Sequence, residues 1–208
     1  MASILSTAYF PPVEYFFSLN RCGNVWVDGY ENYQKQTYRN RCIIYSPNGP
    51  QSLVIPVIRP DKPKTIVKDT LISYDEDWAI VHRRSIETAY NSSPFFLYYK
   101  DDLLSITDKK HKYLFDLNNE ILTKLINITG IETVLKLTQN YIEQPEHPDL
   151  RNVIYPKRKN NTISTGFNLP PYTQVFDKKH GFIPNLSIID LLFNEGPNTV
   201  EYLKKISG

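Results

Sequence analysis

The sequence predicts an α/β or α+β fold in one compact domain, with a mixed sheet, a hairpin near residues 38–58 and packed helices. Three observations support this prediction. Short runs of strand-forming residues alternate with longer segments of helical periodicity, a mixture typical of these fold classes. A strong turn sequence, Pro47-Asn48-Gly49, separates two of the strand-like runs. The chain has 208 residues, enough for one good core, so we expect a single domain over residues 1–208.

The N-terminal elements are predicted from the positions of prolines and apolar runs. Ile4 to Tyr9 is rich in strand formers, and the two prolines that follow Phe10 end the strand and favour a helix start. We expect that helix over Val13 to Leu19, because its apolar residues recur near helical spacing. Val25 to Asp28 has the composition of a buried strand that ends on a carboxylate. Such strand ends are where α/β proteins place ligands.

Two further strands are expected to form the hairpin, Tyr38 to Tyr45 and Leu53 to Ile58. Pro56 interrupts the second strand, and proline has no backbone N–H to donate, so this strand should be an edge or carry a bulge. Thr65 to Ser73 is rich in β-branched residues and predicts another strand.

The middle of the chain has helical periodicity. A helix is predicted over Asp77 to Tyr90, and another begins after Pro94. One face of the first of these helices carries Trp78, Val81, His82, Ser85 and Ala89. A longer helix, Tyr113 to Ile128, has apolar residues three and four positions apart and should stop at Gly130. The next apolar run, Thr133 to Leu137, predicts a strand.

The C-terminal third is irregular before order returns. Gln144 to Pro171 is rich in proline and has no periodicity, so we expect a long loop within the domain rather than a linker. Ser187 and Asp190 resemble a capping box, which predicts a helix from Ile188 to Phe193.

Composition narrows the function classes. Lys and Arg number 24 against 22 Asp and Glu, too small an excess to predict a nucleic-acid surface. The two cysteines, Cys22 and Cys42, form no metal-ligand spacing, and no run approaches the ~18 apolar residues of a membrane span. We therefore expect a cytoplasmic protein without a membrane span. The eight glycines form neither a P-loop nor a dinucleotide fingerprint, and no cofactor is identified.

A short polar segment, Asp28 to Arg41, is the first candidate for a site. Because side chains alternate along a strand, we expect Arg39 and Arg41 to share one face at roughly 7 Å, and two guanidinium groups so placed can bind a phosphate or carboxylate. Lys35 and the hydroxyls of three tyrosines could complete such a site, namely Tyr30, Tyr33 and Tyr38. In the alternative interpretation both arginines form ion pairs with acids such as Asp28 or Glu31.

His82 lies on the apolar face of its predicted helix, where a histidine is more often a satisfied core residue than a catalyst. It could still act as a general base, because the pKa of histidine lies near neutral pH. It would then need a carboxylate partner, and the candidates are Asp28 and Asp190. Cys22 could be a nucleophile if a histidine lowered its pKa.

Five segments, in this order, carry a family resemblance: Tyr9 to Pro11, Asp28 to Arg41, Ile55 to Val57, Trp78 to Tyr90 and Pro184 to Gly196. Together they resemble the WbqC-like family of bacterial proteins, and most closely its compact members from the Bacteroidetes. The resemblance spans nearly the whole chain. Two positions depart from the family pattern: Ser6 stands where a glutamine is usual, and Arg83 follows His82 where a tryptophan is more common.

The resemblance implies an accessory enzyme of bacterial surface polysaccharide biosynthesis, for O-antigen or capsule. The leading hypothesis is a transferase that acts on a small-molecule substrate, a nucleotide-linked sugar. The candidate residues are catalytic Asp28, His82 and Asp190, and substrate-binding Tyr30, Tyr33, Lys35, Arg39, Asn40 and Arg41. The alternative is a non-catalytic binding or scaffold protein of the same pathway. A third hypothesis is a thiol-dependent acyltransferase or hydrolase that uses Cys22.

Overall fold

Three parallel strands form the larger sheet, in the order β1-β2-β5. They are β1 Ala2–Ser6, β2 Asn24–Asp28 and β5 Val134–Leu137. The structure is a computed structural model that describes residues 2–58, 65–156 and 167–206. Ser6 pairs with Asp28 and Val27 pairs with Leu137, so the carboxyl ends of all three strands meet. We call this side of the sheet, formed by Ser6, Asp28 and the residues after Leu137, the carboxyl edge.

A segment far along the chain covers the outer side of β1. The amide of Ile4 donates to the carbonyl of Pro148 at 3.0 Å, and the amide of Leu150 donates to the carbonyl of Ile4 at 2.8 Å. This pairing is parallel, so it carries the next residue, Arg151, to the carboxyl edge. Within the stretch predicted to be irregular, the part from Pro148 to Arg151 therefore lies next to the sheet.

The smaller sheet is the predicted hairpin, formed by β3 Arg41–Ser46 and β4 Gly49–Val54. Its turn lies at Pro47-Asn48, as expected, and Gly49 has a φ of +97°. β3 is shorter than the predicted strand Tyr38 to Tyr45, whereas β4 has the predicted length but begins at Gly49 instead of Leu53. Beyond the end of the hairpin, the amide of Ile55 still donates to the carbonyl of Asn40 at 2.8 Å. The carbonyl of Ile55, however, accepts from the side chain of Asn40, at 2.9 Å, and not from its backbone amide. Arg39 consequently lies in a turn before β3 and not within the strand.

Seven α-helices occur in the described ranges: α1 Val13–Arg21, α2 Trp78–Tyr90, α3 Phe96–Asp108, α4 Leu114–Thr129, α5 Asp177–His180, α6 Ile188–Glu195 and α7 Thr199–Lys205. The predicted starts and stops of several are confirmed. α1 follows the two prolines, α4 ends at Gly130 with a φ of +72°, and Ser187 caps α6 by accepting from the amide of Ile189. In the part of the chain that the structure describes, no helix is both long and apolar enough to cross a membrane.

One predicted strand is absent from the structure. Thr65 to Ser73 is not a strand but contains a 3₁₀ helix, Val67–Asp69. The amides of Val67 and Lys68 donate to carbonyls of Glu31 and Gly29, so contacts with a distant segment override the β-branched composition. Residues 59–64 and 157–166, the latter within the predicted loop, lie outside the described ranges.

The core packs around α1 and α4. Val13 to Leu19 is entirely buried, and so are Leu114, Leu117, Ile121 and Leu125 of the α4 stripe. On α2 the buried face includes Trp78, His82, Ile86, Ala89 and Tyr90. Val81, predicted on that face, is 58% exposed, because the true stripe runs through Ile86 and Tyr90 at four-residue spacing.

Gly196, where α6 ends, is predicted to resist substitution. It has a φ of +53°, and a Cβ there would lie 2.5 Å from ring carbons of Phe95. We expect Gly196→Ala to reduce the free energy of unfolding by roughly 3 kcal/mol, from backbone strain and overpacking together. Gly130→Ala is the matched control, since φ is also positive there but nothing lies within 4 Å. Gly130→Ala should reduce the free energy of unfolding by about 1 kcal/mol. Urea denaturation measures both, and equal losses would contradict the steric argument.

Candidate functional site

Asp28 is the last residue of β2 and is fully buried. Its Oδ1 accepts from the amide of Tyr30 at 2.8 Å and from the Thr138 hydroxyl at 3.0 Å. Its Oδ2 accepts from Nη1 of Arg151 at 2.5 Å. Both carboxylate oxygens therefore have internal partners, and the buried charge is compensated by an arginine.

Arg151 contacts two acids at once. Beside its bond to Asp28, its Nε and Nη2 donate to the carboxylate of Asp149 at 2.9 and 2.6 Å, and Nη2 also donates to the carbonyl of Ile142. The guanidinium lies 4.7 Å from the centre of the Tyr141 ring. Arg151 holds the pKa of Asp149 below its usual value, chiefly through the side-chain hydrogen bonds. Sequence reasoning missed Arg151, and the available signal was an Asp-x-Arg spacing inside a region without periodicity.

Arg39 forms a second buried ion pair. It is 2% exposed, and its Nε and Nη2 donate to the two carboxylate oxygens of Glu31 at 2.9 and 2.5 Å. Burial raises the pKa of Glu31, and the hydrogen bonds and charge of Arg39 oppose that rise. This is the ion-pair interpretation that the sequence left open for Arg39, with Glu31 as the acid.

Ser6 joins the two ion pairs. Its hydroxyl accepts from Nη2 of Arg39 and donates to the carbonyl of Arg151, both at 2.8 Å. This is the position where the sequence departs from the expected glutamine. We call the connected set the carboxyl-edge network; its members are Ser6, Asp28, Glu31, Arg39, Asp149 and Arg151.

Polar atoms without partners lie along the neighbouring segment. Arg41 is half-buried, and its Nε has no hydrogen bond. Oδ1 of Asn40, a residue that is 5% exposed, also has no hydrogen bond. Asn118 donates through Nδ2 to the carbonyl of Arg39 at 2.8 Å, while its own Oδ1 is unpartnered. Because buried polar atoms nearly always have partners, these atoms mark a place where a ligand or ordered water would complete the bonding.

The other predicted binding residues lie around this segment. Tyr33 is half-buried. Burial raises the pKa of its phenol, and the positive charges of Arg41 and then Arg39 oppose that rise. Lys35 is exposed in a turn. Tyr30 accepts a hydrogen bond from Lys68 at 3.0 Å, with the Lys68 ammonium 4.1 Å from the ring centre.

His82 is 3% exposed within the core. Its Nδ1 is 2.9 Å from the Tyr9 hydroxyl, and the ring packs edge-on against Trp78 at 5.2 Å. Burial lowers the pKa of His82 to about 4, against a hydrogen bond to the carbonyl of Val54 that raises it. The imidazole is thus neutral at pH 7. None of the hydrogen bonds found for it in the described ranges is to a carboxylate.

Asp190 belongs neither to the carboxyl-edge network nor to the surroundings of His82. It is fully buried in α6, and its Oδ2 accepts from the Tyr172 hydroxyl at 2.5 Å and from Nε2 of Gln174 at 2.9 Å. Burial raises the pKa of Asp190 to about 6, although hydrogen bonds from Tyr172, Gln174 and Tyr90 lower it. Asp190 does not complete a capping box, because its side chain faces these partners. Among the described residues, Asp28, His82 and Asp190 share no hydrogen-bond partner.

Comparison with known proteins places the chain in a family. Residues 7–168 and 155–202 match the sequence model of the WbqC-like protein family. The chain belongs to the WbqC-like protein family. This WbqC-like chain is also similar to the uncharacterized protein Rv1507c of Mycobacterium tuberculosis. The two are 28% identical over 195 residues, which cover 83% of this chain and 84% of the relative. No solved structure matches.

The buried pair of Asp28 and Arg151 leads to a stability prediction. Arg151→Ala removes the partner of a fully buried carboxylate, and we expect it to lower the free energy of unfolding by about 3–5 kcal/mol. Lys204→Ala removes one member of an exposed ion pair with Glu201 and should leave the value nearly unchanged. Urea denaturation measures the free energy of unfolding of both variants.

A double variant separates charge from packing in that experiment. In Asp28→Asn with Arg151→Gln no unpaired charge remains at either position. We expect this chain to be more stable than Arg151→Ala alone, because an unpaired buried charge costs more than a missing pair. A double variant less stable than Arg151→Ala would contradict this explanation.

Asp190 and His82 are predicted to affect the pH dependence of stability with opposite sign. The pKa of Asp190 rises from 3.8 to about 6 on folding, so its contribution is fully present below pH 3.8 and lost as pH rises through 6. The pKa of His82 falls from 6.5 to about 4, so stability is lost as pH falls from 6.5 through 4.

Variants isolate each contribution. Between pH 4 and 6.5, Asp190→Asn should become more stable relative to wild type as pH rises, by on the order of 1–3 kcal/mol, because it lacks the carboxyl that must ionise in the core. His82→Gln should show the reverse trend. Urea denaturation at several pH values measures both differences, and trends of the same sign would contradict the assignment.

Proposed function

We propose that this WbqC-like protein is an enzyme of bacterial surface polysaccharide biosynthesis, a transferase that binds a nucleotide-linked sugar at the carboxyl edge. Ligand sites in α/β proteins lie at the carboxyl ends of parallel strands, and here those ends carry a dense set of charged residues. The observation that supports the proposal most directly is the difference between two neighbouring arginines: Arg39 is used internally by Glu31, whereas Arg41 has no ion pair within the described ranges.

Arg41 has the properties of an anion-binding group. Its side chain is half-buried and always charged, and its Nε–H is buried without an acceptor. A phosphate would bind the guanidinium through charge-assisted hydrogen bonds. Lys35, exposed in the preceding turn, adds a second positive charge that could reach the same anion.

The sugar end of the proposed substrate fits the remaining groups of this segment. Oδ1 of Asn40 and Oδ1 of Asn118 are buried acceptors without donors, and sugar hydroxyls are donors. Tyr33 supplies a half-buried ring in the same polar segment. In this proposal Arg39 is a positioning residue, because its ion pair with Glu31 fixes the turn that precedes Arg41.

A non-catalytic binding protein of the same pathway is the second candidate. It is favoured by one observation: Asp28 and His82, the residues proposed for proton transfer, both have internal partners and share none. The transferase proposal keeps Asp28, His82 and Asp190 as candidate catalytic residues, and of these Asp28 is the one at the carboxyl edge.

Calorimetric titration of nucleotide sugars tests the proposal. Wild type should bind at least one member of a panel of UDP-, GDP- and dTDP-sugars, and Arg41→Ala should bind it about tenfold or more weakly, since one charge-assisted hydrogen bond is lost. The matched control is Arg84→Ala, which removes an exposed arginine of α2 and should leave affinity unchanged. Arg39 is unsuitable as a probe, because its loss would leave Glu31 buried without a partner.

The same samples separate the two candidate functions. Release of nucleotide, followed by chromatography in the presence of acceptor sugars, identifies a transferase, whereas binding without release identifies a binding protein. If no nucleotide sugar binds wild type, or if Arg41→Ala and Arg84→Ala bind equally well, the carboxyl edge is not the phosphate site.

A further inference from the structure

A small cavity lies beside the carboxyl-edge network, between the end of β1 and the turn that holds Arg39. Its volume is about 10 Å³, the space of a single water molecule and far below that of a small-molecule site. We call it the Arg39 cavity; the lining residues that matter here are Thr7, Tyr38 and Arg39. Its size therefore limits any ligand to one water-sized group.

Three polar side chains that line this cavity have a group without a hydrogen bond. Thr7 and Tyr38 are 1% and 7% exposed, and neither hydroxyl has a hydrogen bond within the described ranges. Arg39 is 2% exposed; its Nε and Nη2 donate to Glu31 and Ser6, whereas Nη1 donates to no acceptor in the same ranges. All three residues are thus more than nine-tenths buried. Buried polar groups nearly always have partners.

The other residues around the cavity cannot supply those partners. The hydroxyl of Tyr15 donates to the carbonyl of Ser6 at 2.9 Å, and the hydroxyl of Ser6 donates to the carbonyl of Arg151 at 2.8 Å. The remaining lining residues are apolar, namely Leu5, Ala8, Leu150 and Ile154. A molecule inside the cavity is therefore needed to complete the hydrogen bonding of Thr7, Tyr38 and Arg39.

Charge and hydrogen-bonding capacity select that molecule. The guanidinium of Arg39 is already paired with the carboxylate of Glu31 at 2.5 Å, so the cavity has no uncompensated charge that would favour an ion. Burial, and then the negative charge of Glu14, raises the pKa of Tyr38, so its phenol keeps its proton. Nη1 of Arg39 can only donate, whereas the two hydroxyls can donate and accept. A water molecule, with two donors and two acceptors, matches this set.

We infer that the Arg39 cavity is a binding site for one buried water molecule, which accepts from Nη1 of Arg39 and bonds to the hydroxyls of Thr7 and Tyr38. Three partners are the usual number for a buried water. This water joins the end of β1 to the turn before β3, and it holds Arg39 at the nitrogen that Glu31 and Ser6 do not use. The inference does not rest on the proposed function, because it holds whether or not a nucleotide sugar binds.

A high-resolution crystal structure of the wild-type protein tests the site directly. Electron density for one water oxygen should lie within about 3.2 Å of Nη1 of Arg39 and of the hydroxyls of Thr7 and Tyr38. Three results would overturn the inference: no density in the cavity, density that refines as an ion, or direct hydrogen bonds among the three protein groups.

Urea denaturation of two isosteric variants tests the same water in solution. Thr7→Val and Tyr38→Phe each remove one partner of the water, so each should raise the equilibrium constant of unfolding about fivefold or more. Without a water, each change would remove a buried hydroxyl that has no partner, and the constant would stay unchanged or fall. The matched controls Thr173→Val and Tyr98→Phe remove exposed hydroxyls and should leave the constant unchanged.

The double variant tests whether the two hydroxyls share one water. The combined effect of Thr7→Val and Tyr38→Phe should be smaller than the product of the two single effects, because both changes act through the same molecule. Thr7→Val combined with Tyr98→Phe should instead give the simple product. An unfolding constant that is unchanged or lower in both single variants, or a simple product in the double variant, would overturn the inference.

Discussion

The ion pair between Asp28 and Arg151 is the constraint on which the carboxyl edge depends. Removing a carboxylate from water is costly, and the cost is recovered only when every oxygen finds a donor. Here Tyr30, Thr138 and Arg151 supply those donors. Because Thr138 follows β5 and Arg151 follows the segment beside β1, satisfying one buried charge fixes the connections on both sides of the sheet.

The second ion pair decides which arginine is available to a ligand. Arg39 and Arg41 are alike in sequence, two positions apart in a polar segment, yet Arg39 turns inward to a buried glutamate and Arg41 begins β3 with an unpartnered Nε. The buried acid needs a cation, and only the arginine in the turn before the strand reaches it. The proposed phosphate site is therefore built on Arg41, with Arg39 as its support.

Burial has opposite effects on two titratable groups in the core of this WbqC-like protein. It lowers the pKa of His82 and raises that of Asp190, since an apolar environment disfavours the charged form of either group. The same physical cause gives a neutral imidazole and a carboxyl that is poised near neutral pH.

Local sequence determined most of the elements. Proline positions, helical spacing and turn residues depend on neighbours a few places away, and they predicted α1, β2, the hairpin, α2 and α4 correctly. The ordered segments also indicated the WbqC-like family. Local sequence could not predict that Thr65 to Ser73 lacks a strand, because hydrogen bonds that its amides donate to a distant segment decide it.

Tertiary structure alone decided the partners of the charged residues. Arg151 reaches Asp28 across 123 positions, and the hydroxyl of Tyr172, in an irregular segment, bonds to Asp190 of α6. Sequence spacing carries no information about such contacts, since they arise only when the strands and helices pack. The sequence thus specified which residues were polar and in which elements they lay. Burial then decided which of them form internal ion pairs and hydrogen bonds, and which have groups left to bind a ligand.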